Sequence, residues 1–183
     1  MVMTSSNTNL ESIPVSGIMI SNVKTAEENQ SIQGVCKILY ENKIGSIVIV
    51  KNSSTSEKNK ESKKIPVGIV TERDIVRLVS SPYKLFVDQP VHLLMRTPLI
   101  TINPNNSVMD AMETMQQKDI RRLPVVDNRE NMLGIVTDRD IFRVIVKNQT
   151  LVSSGISDQI LIDQQSIYGK FTDYWLKGFP NTP

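Results

Sequence analysis

The chain writes one phrase twice. Residues 68–79 read GIVTERDIVRLV and residues 134–146 read GIVTDRDIFRVIV, an offset of 66 that keeps a Thr, an Arg and an Asp along with the apolar letters. Upstream the echo continues at an offset of 76. There Pro14-Val15 matches Pro90-Val91, Met19 matches Met95, Thr25 matches Thr101, Ser31 matches Ser107, Ile44 matches Ile120 and Val50 matches Val126. A fixed internal period means one supersecondary unit built twice, and units this small cannot each bury a generous core alone. The step from 76 to 66 places ten extra residues in the first copy, between Val50 and Val67, where the polar run KNSSTSEKNKESKK occupies 51–64. A low-complexity polar insertion belongs on a surface connection, and the second copy closes the same connection without it. The expected organisation is a flexible leading segment at 1–12, repeats at 13–80 and 89–148, and a tail at 149–183.

Hydrophobic periodicity alternates within each copy. Ser107 is a plausible N-cap for a helix carrying Val108, Ala111, Met112 and Met115, and Ile32, Val35, Cys36 and Leu39 repeat that stripe in the first copy. Short strands follow at 46–50 and 65–70 in one copy and at 122–126 and 132–136 in the other. The closing helix starts at the repeated phrase. Extended pieces around VKT and LITI precede the first helices, which gives β-α-β-β-α per copy and an α/β (α+β) class with small sheets covered by helices.

Composition bounds the partners. The polar run holds five Lys and two Glu, and without it the chain counts 16 basic against 17 acidic residues, so the formal charge of +2 describes one loop. That argues against a basic face for nucleic acid. No stretch approaches the eighteen or so apolar residues of a membrane helix, and no signal peptide is visible at the N-terminus. The one cysteine, Cys36, suits a reducing cytoplasm and reads as a small buried hydrophobe.

Two readings fit Thr71-Glu-Arg-Asp74 and Thr137-Asp-Arg-Asp140. In the first, each is a capping box, the acid reaching back to the N–H of the capping Thr, worth about 1 kcal/mol per helix. In the second, each stands where a Gly-containing strand runs into a helix N-terminus, a place suited to anions and sugar hydroxyls. Asp can accept two vicinal hydroxyls of a ribose and Thr can donate to a phosphate.

The doubled G-I-V-T-x-R-D-I phrase, together with IRRLPVVD at 120–127, resembles the CBS-domain family, and the pair resembles a Bateman module over about 13–148. The resemblance implies two β-α-β-β-α repeats packed sheet to sheet about a pseudo-twofold axis, with two clefts between them. It also implies an adenosine-containing ligand of the AMP, ADP or ATP kind, with S-adenosylmethionine and NAD in the same class, and no resident cofactor. Carried over residue by residue, one cleft combines Thr101, Ile120, Arg121 and Arg122 with Ile69, Thr71 and Asp74. The other combines Thr25, Ile44, Gly45 and Ser46 with Ile135, Thr137 and Asp140. Arg121 and Arg122 suit a polyphosphate or, alternatively, a surface or dimer salt bridge. Arg73 and Arg139 fit the repeat and face the same two choices.

A homodimer and a regulatory, signal-transducing role with a regulated protein partner complete that expectation. The rival is a structural adaptor that leaves its clefts empty and works through its dimer surface and tail. Five of the nine aromatic residues fall within 168–179, with Tyr168, Phe171 and Trp175 on one helical stripe that must be covered by something. No catalytic constellation emerges. The single His92 has no Cys or acidic cluster at metal-ligand spacing, and there is no P-loop or Rossmann glycine pattern, so the chain reads as neither an enzyme nor a metal protein.

Overall fold

The computed structural model describes residues 10–53, 63–80 and 87–147. The first copy follows the expected order: β1 (Thr25–Glu27), α1 (Ile32–Asn42), β2 (Ser46–Ser53), β3 (Lys63–Thr71) and α2 (Glu72–Ser80). The second runs α3 (Val108–Lys118), β4 (Arg122–Val126), β5 (Met132–Thr137) and α4 (Asp138–Lys147). Its opening piece at LITI adds no strand. Only Ile102 makes an isolated bridge, and the sheet there is the two-stranded β4-β5, against β1-β2-β3 in the first copy. Pro98 and Pro104 border that run and withhold backbone donors from a ladder, whereas the first copy has Asn22 and Glu28 at those places.

Strands β2 and β3 outrun the expected ones. Lys51, Asn52 and Ser53 pair with Ile65, Lys64 and Lys63, so both ends of the inserted run zip into the antiparallel ladder. Pairing satisfies backbone groups that would otherwise need water. The rest of the insertion, 54–62, lies outside the described residues, as does the aromatic stripe of the tail.

The first helices form as the stripes require. The Ser31 hydroxyl accepts from Gly34 N–H at 3.1 Å, and Ser107 completes a capping box with Asp110. Ile32, Val35 and Leu39 are buried in α1, as are Val108, Ala111 and Met115 in α3. Cys36 is half-buried, and this partial burial pushes its thiol pKa up. Both helices end on a left-handed residue, Lys43 and Asp119, each at φ 51°.

The segment leading into each repeat serves the other repeat. Ile32 N–H donates to Gln89 O at 2.9 Å and Val91 N–H to Gln30 O at 2.8 Å; in parallel, Val108 N–H donates to Ile13 O and Val15 N–H to Asn106 O, both at 2.8 Å. These bonds satisfy helix-start donors that have no intrahelical partner. They also carry Val91 into the core formed by Ala26, Val35, Leu39, Ile47, Ile49 and Val70. Two compact units result, one of residues 20–101 and 124–134 and the other of the remaining described residues. The compact units therefore differ from the sequence repeats in their exchanged leading segments and in residues 124–134, which belong to the second repeat but cluster with the first unit. No helix among the described residues is long and apolar enough to cross a membrane.

After Val91 the same segment runs along β3. Arg96 N–H donates to Ile69 O at 2.9 Å and Ile69 N–H to Arg96 O at 3.4 Å, covering part of an edge strand. Met95 fills the space over Gly68, where a Cβ would lie 2.5 Å from Met95 Sδ and 2.8 Å from its Cγ. Gly68→Ala should therefore cost about 1–3 kcal/mol through overpacking. In urea unfolding, that cost should shrink markedly when Met95→Ala is combined with it; equal costs in both backgrounds would separate the two positions.

Candidate functional site

Strand directions gather the polar residues at one end of the first sheet. β1 runs parallel to β2 and β3 antiparallel to it, so the starts of β1 and β2 lie with the end of β3. In register, Thr25 sits opposite Val48, Val48 opposite Ile69, and Ser46 opposite Thr71. Ile44 and Gly45 precede β2, and Gly45 O accepts from Glu72 N–H at 3.2 Å, which ties the entry of β2 to the start of α2. The second copy repeats this joint. Arg121 O accepts from Asp138 N–H at 3.1 Å, with Ile120 before it, Arg122 opening β4, and Ile135 and Thr137 on β5.

The repeated Thr and Asp form the same motif twice. Asp74 Oδ2 accepts from Thr71 N–H at 2.9 Å and from its hydroxyl at 2.6 Å, while Asp74 N–H donates to Thr71 Oγ1 at 3.3 Å. The corresponding distances for Thr137 and Asp140 are 3.0, 2.6 and 3.3 Å. Both are complete capping boxes. Each Thr donates its single hydroxyl proton to its own Asp, in line with the capping-box reading. Both carboxylates are buried, with relative exposures of 2% and 6%.

Each buried carboxylate finds guanidinium partners, by different routes. Asp140 Oδ1 takes Arg143 Nη1 at 3.3 Å, one turn along α4. Asp74 Oδ1 takes Arg96 Nε at 2.7 Å from the leading segment of the second repeat, with Arg77 Nη1 at 3.7 Å. Burial by itself pushes the Asp74 carboxyl up, but the hydrogen bonds from Thr71 and Arg96 outweigh it and hold the group below its ordinary value.

Of the residues singled out in the sequence, Thr25, Ile44, Gly45, Ser46, Ile69, Thr71, Asp74 and Thr101 belong to the first unit. Ile120, Arg121, Arg122, Ile135, Thr137 and Asp140 belong to the second. The residues just before β2 and β4 are tied by backbone hydrogen bonds to the start of the helix that carries the Asp of their own repeat. Arg96 is the residue that sequence reasoning passed over. Its signal is a mismatch in the repeat, since a charge stands after Met95 where Ile20 stands after Met19. Among the described residues, no group of three or more His, Cys, Asp or Glu could hold a metal ion.

A depressed Asp pKa gives stability that is fully present above the unfolded value, near 3.9, and lost as pH falls through the lower folded value. The thermal midpoint of the wild type should therefore fall more steeply than that of Asp74→Asn on acidification from about pH 5. Parallel curves would show that the Asp74 charge contributes nothing to folding.

The geometry can be set beside known proteins. The chain is 38% identical to an uncharacterized protein of Methanocaldococcus jannaschii, MJ1404, over 72% of its own length and 31% of that protein's. It is 33% identical to the CBS domain-containing protein YhcV of Bacillus subtilis, over 84% of this chain and 98% of that one. Among solved structures, the CBS domain pair of protein MJ0100, in complex with 5'-methylthioadenosine and S-adenosyl-L-methionine, matches with a TM-score of 0.60 and 28% identity. That match covers 73% of this chain and 96% of the other. The chain thus spans about a third of MJ1404 and nearly all of the other two. The CBS-domain family model matches residues 15–81 and 91–147, and with both repeats covered the chain belongs to the CBS-domain family as a tandem pair.

Proposed function

We propose that the chain is a regulatory module that binds an adenosine-containing ligand at its Thr-x-x-Asp helix starts. The observation that carries this reading is the duplicated joint itself. Twice, a strand end, a helix start and a buried carboxylate meet through the same three hydrogen bonds, beside polar residues that a cap alone does not need. The solved MJ0100 pair, with its two adenosine compounds, supports the ligand class. In this reading Asp74 and Asp140 take ribose hydroxyls. Thr71 and Thr137 orient those carboxylates, and Arg121 and Arg122 serve the anionic end of a nucleotide. Thr25, Ile44, Gly45, Ser46, Ile69, Thr101, Ile120 and Ile135 line the base and sugar. Ligand binding then biases the chain toward one of two conformations and so regulates a partner.

A second reading rests on α2, where Val76 and Val79 are 63% and 79% exposed on one helical face. That face suits a protein partner, a second copy of this chain included, and it is the surface an adaptor would use.

Thermal titration with AMP, ATP, 5'-methylthioadenosine and S-adenosylmethionine separates the two. A ligand at a hundredfold excess over Kd should add about 2.7 kcal/mol of stability. Asp140→Ala should weaken binding at its own site by roughly ten- to hundredfold, the loss of one charged hydrogen bond. No response to any of the four compounds would leave the docking reading alone.

A further inference from the structure

Asp74 is already occupied. Its Oδ2 holds both Thr71 donors, and its Oδ1 holds Arg96 Nε at 2.7 Å with Arg77 Nη1 at 3.7 Å. A carboxylate offers about four lone-pair directions, so two of them are spent on the cap. Two vicinal hydroxyls must then come to Oδ1, where Arg96 already sits on a side chain with 2% exposure. Asp140 differs. Its Oδ1 has Arg143 at 3.3 Å, from the next turn of its own helix, and the chain has Ile20 where Arg96 would repeat.

Resting on the adenosine reading above, we infer that Arg96 is an internal occupant of the Asp74 site, which a ribose must displace. The displaced guanidinium is half exposed, at 51%, and its backbone stays fixed by the paired bonds to Ile69, so only the side chain has to swing. A neutral nucleoside breaks the Arg96–Asp74 contact and gives Arg96 nothing in return. A phosphorylated one offers the freed guanidinium an anion, a pairing that Arg makes well. Arg96 therefore makes the Asp74 site selective for phosphorylated over neutral adenosine ligands. Among the described residues, the Asp140 carboxylate has no guanidinium partner from outside its own helix.

Calorimetric titration in an Asp140→Ala background reads the Asp74 site by itself. Replacing Arg96 with Met keeps the chain length and removes the competitor. Adenosine should then bind on the order of tenfold more tightly, the exposure of Arg96 limiting the gain. AMP should gain less, so the preference for AMP over adenosine should fall. Arg96→Lys, which keeps the charge without the Nε–H, should fall between the two. Adenosine binding that is unchanged or weaker in Arg96→Met would overturn the displacement while leaving the ligand reading in place. Absence of binding by either compound in the wild type, in the background and in all variants would remove the ligand reading and the displacement with it.

Discussion

The exchange of leading segments is the constraint on which the rest of the structure depends. Helix α1 begins with donors that its own repeat cannot satisfy, and the carbonyls of Gln89 and Val87 take them. Helix α3 is served in the same way by Ile13. Val91 and Val15, both fully buried, follow these bonds into the interior. Unpaired helix starts and a missing core residue each cost free energy on the scale of a small domain's whole margin. Each repeat therefore depends on a segment of the other.

The same segment reaches the candidate site. Val91 seats it, Met95 locks it over Gly68, and Arg96 ends on Asp74. A buried carboxylate must be paired or pushed toward its neutral form. Asp74 solves this with a cap and an arginine from elsewhere in the sequence, Asp140 with a cap and an arginine one turn along. The caps are equal and the arginines are not.

Much of this was legible in the sequence. The stripes of α1 and α3, the serine caps, the strand β4 and the Thr-Asp boxes all follow from local spacing, because each depends on neighbours within a few residues. The β-branched run of LITI predicts an opening strand for the second repeat, but only Ile102 forms a bridge there, between two flanking prolines. Strands β2 and β3 run longer than the pattern predicts because the polar residues at 51–53 and 63–64 look like loop, although backbone pairing is indifferent to their side chains. Arg96 lay beyond local reading altogether. Its partner is 22 residues away, and the packing of Val91 and Met95 together with the bridge between Ile69 and Arg96 brings them together. For Thr71 and Thr137 the sequence leaves cap and phosphate donor both open, and the fold turns each hydroxyl proton onto its own aspartate.

On the proposed reading, one Thr-Asp pair serves as helix cap and as ribose acceptor at once. A crystal structure of the protein grown with AMP tests it most directly. The account predicts ribose hydroxyls about 3 Å from the carboxylate of Asp74 or Asp140, with the Thr bonds to that carboxylate retained. At Asp74 it further predicts that Arg96 has left Oδ1 for the phosphate. Nucleotide bound elsewhere, with both aspartates still held only by their own Thr and Arg partners, would make the boxes caps and nothing more.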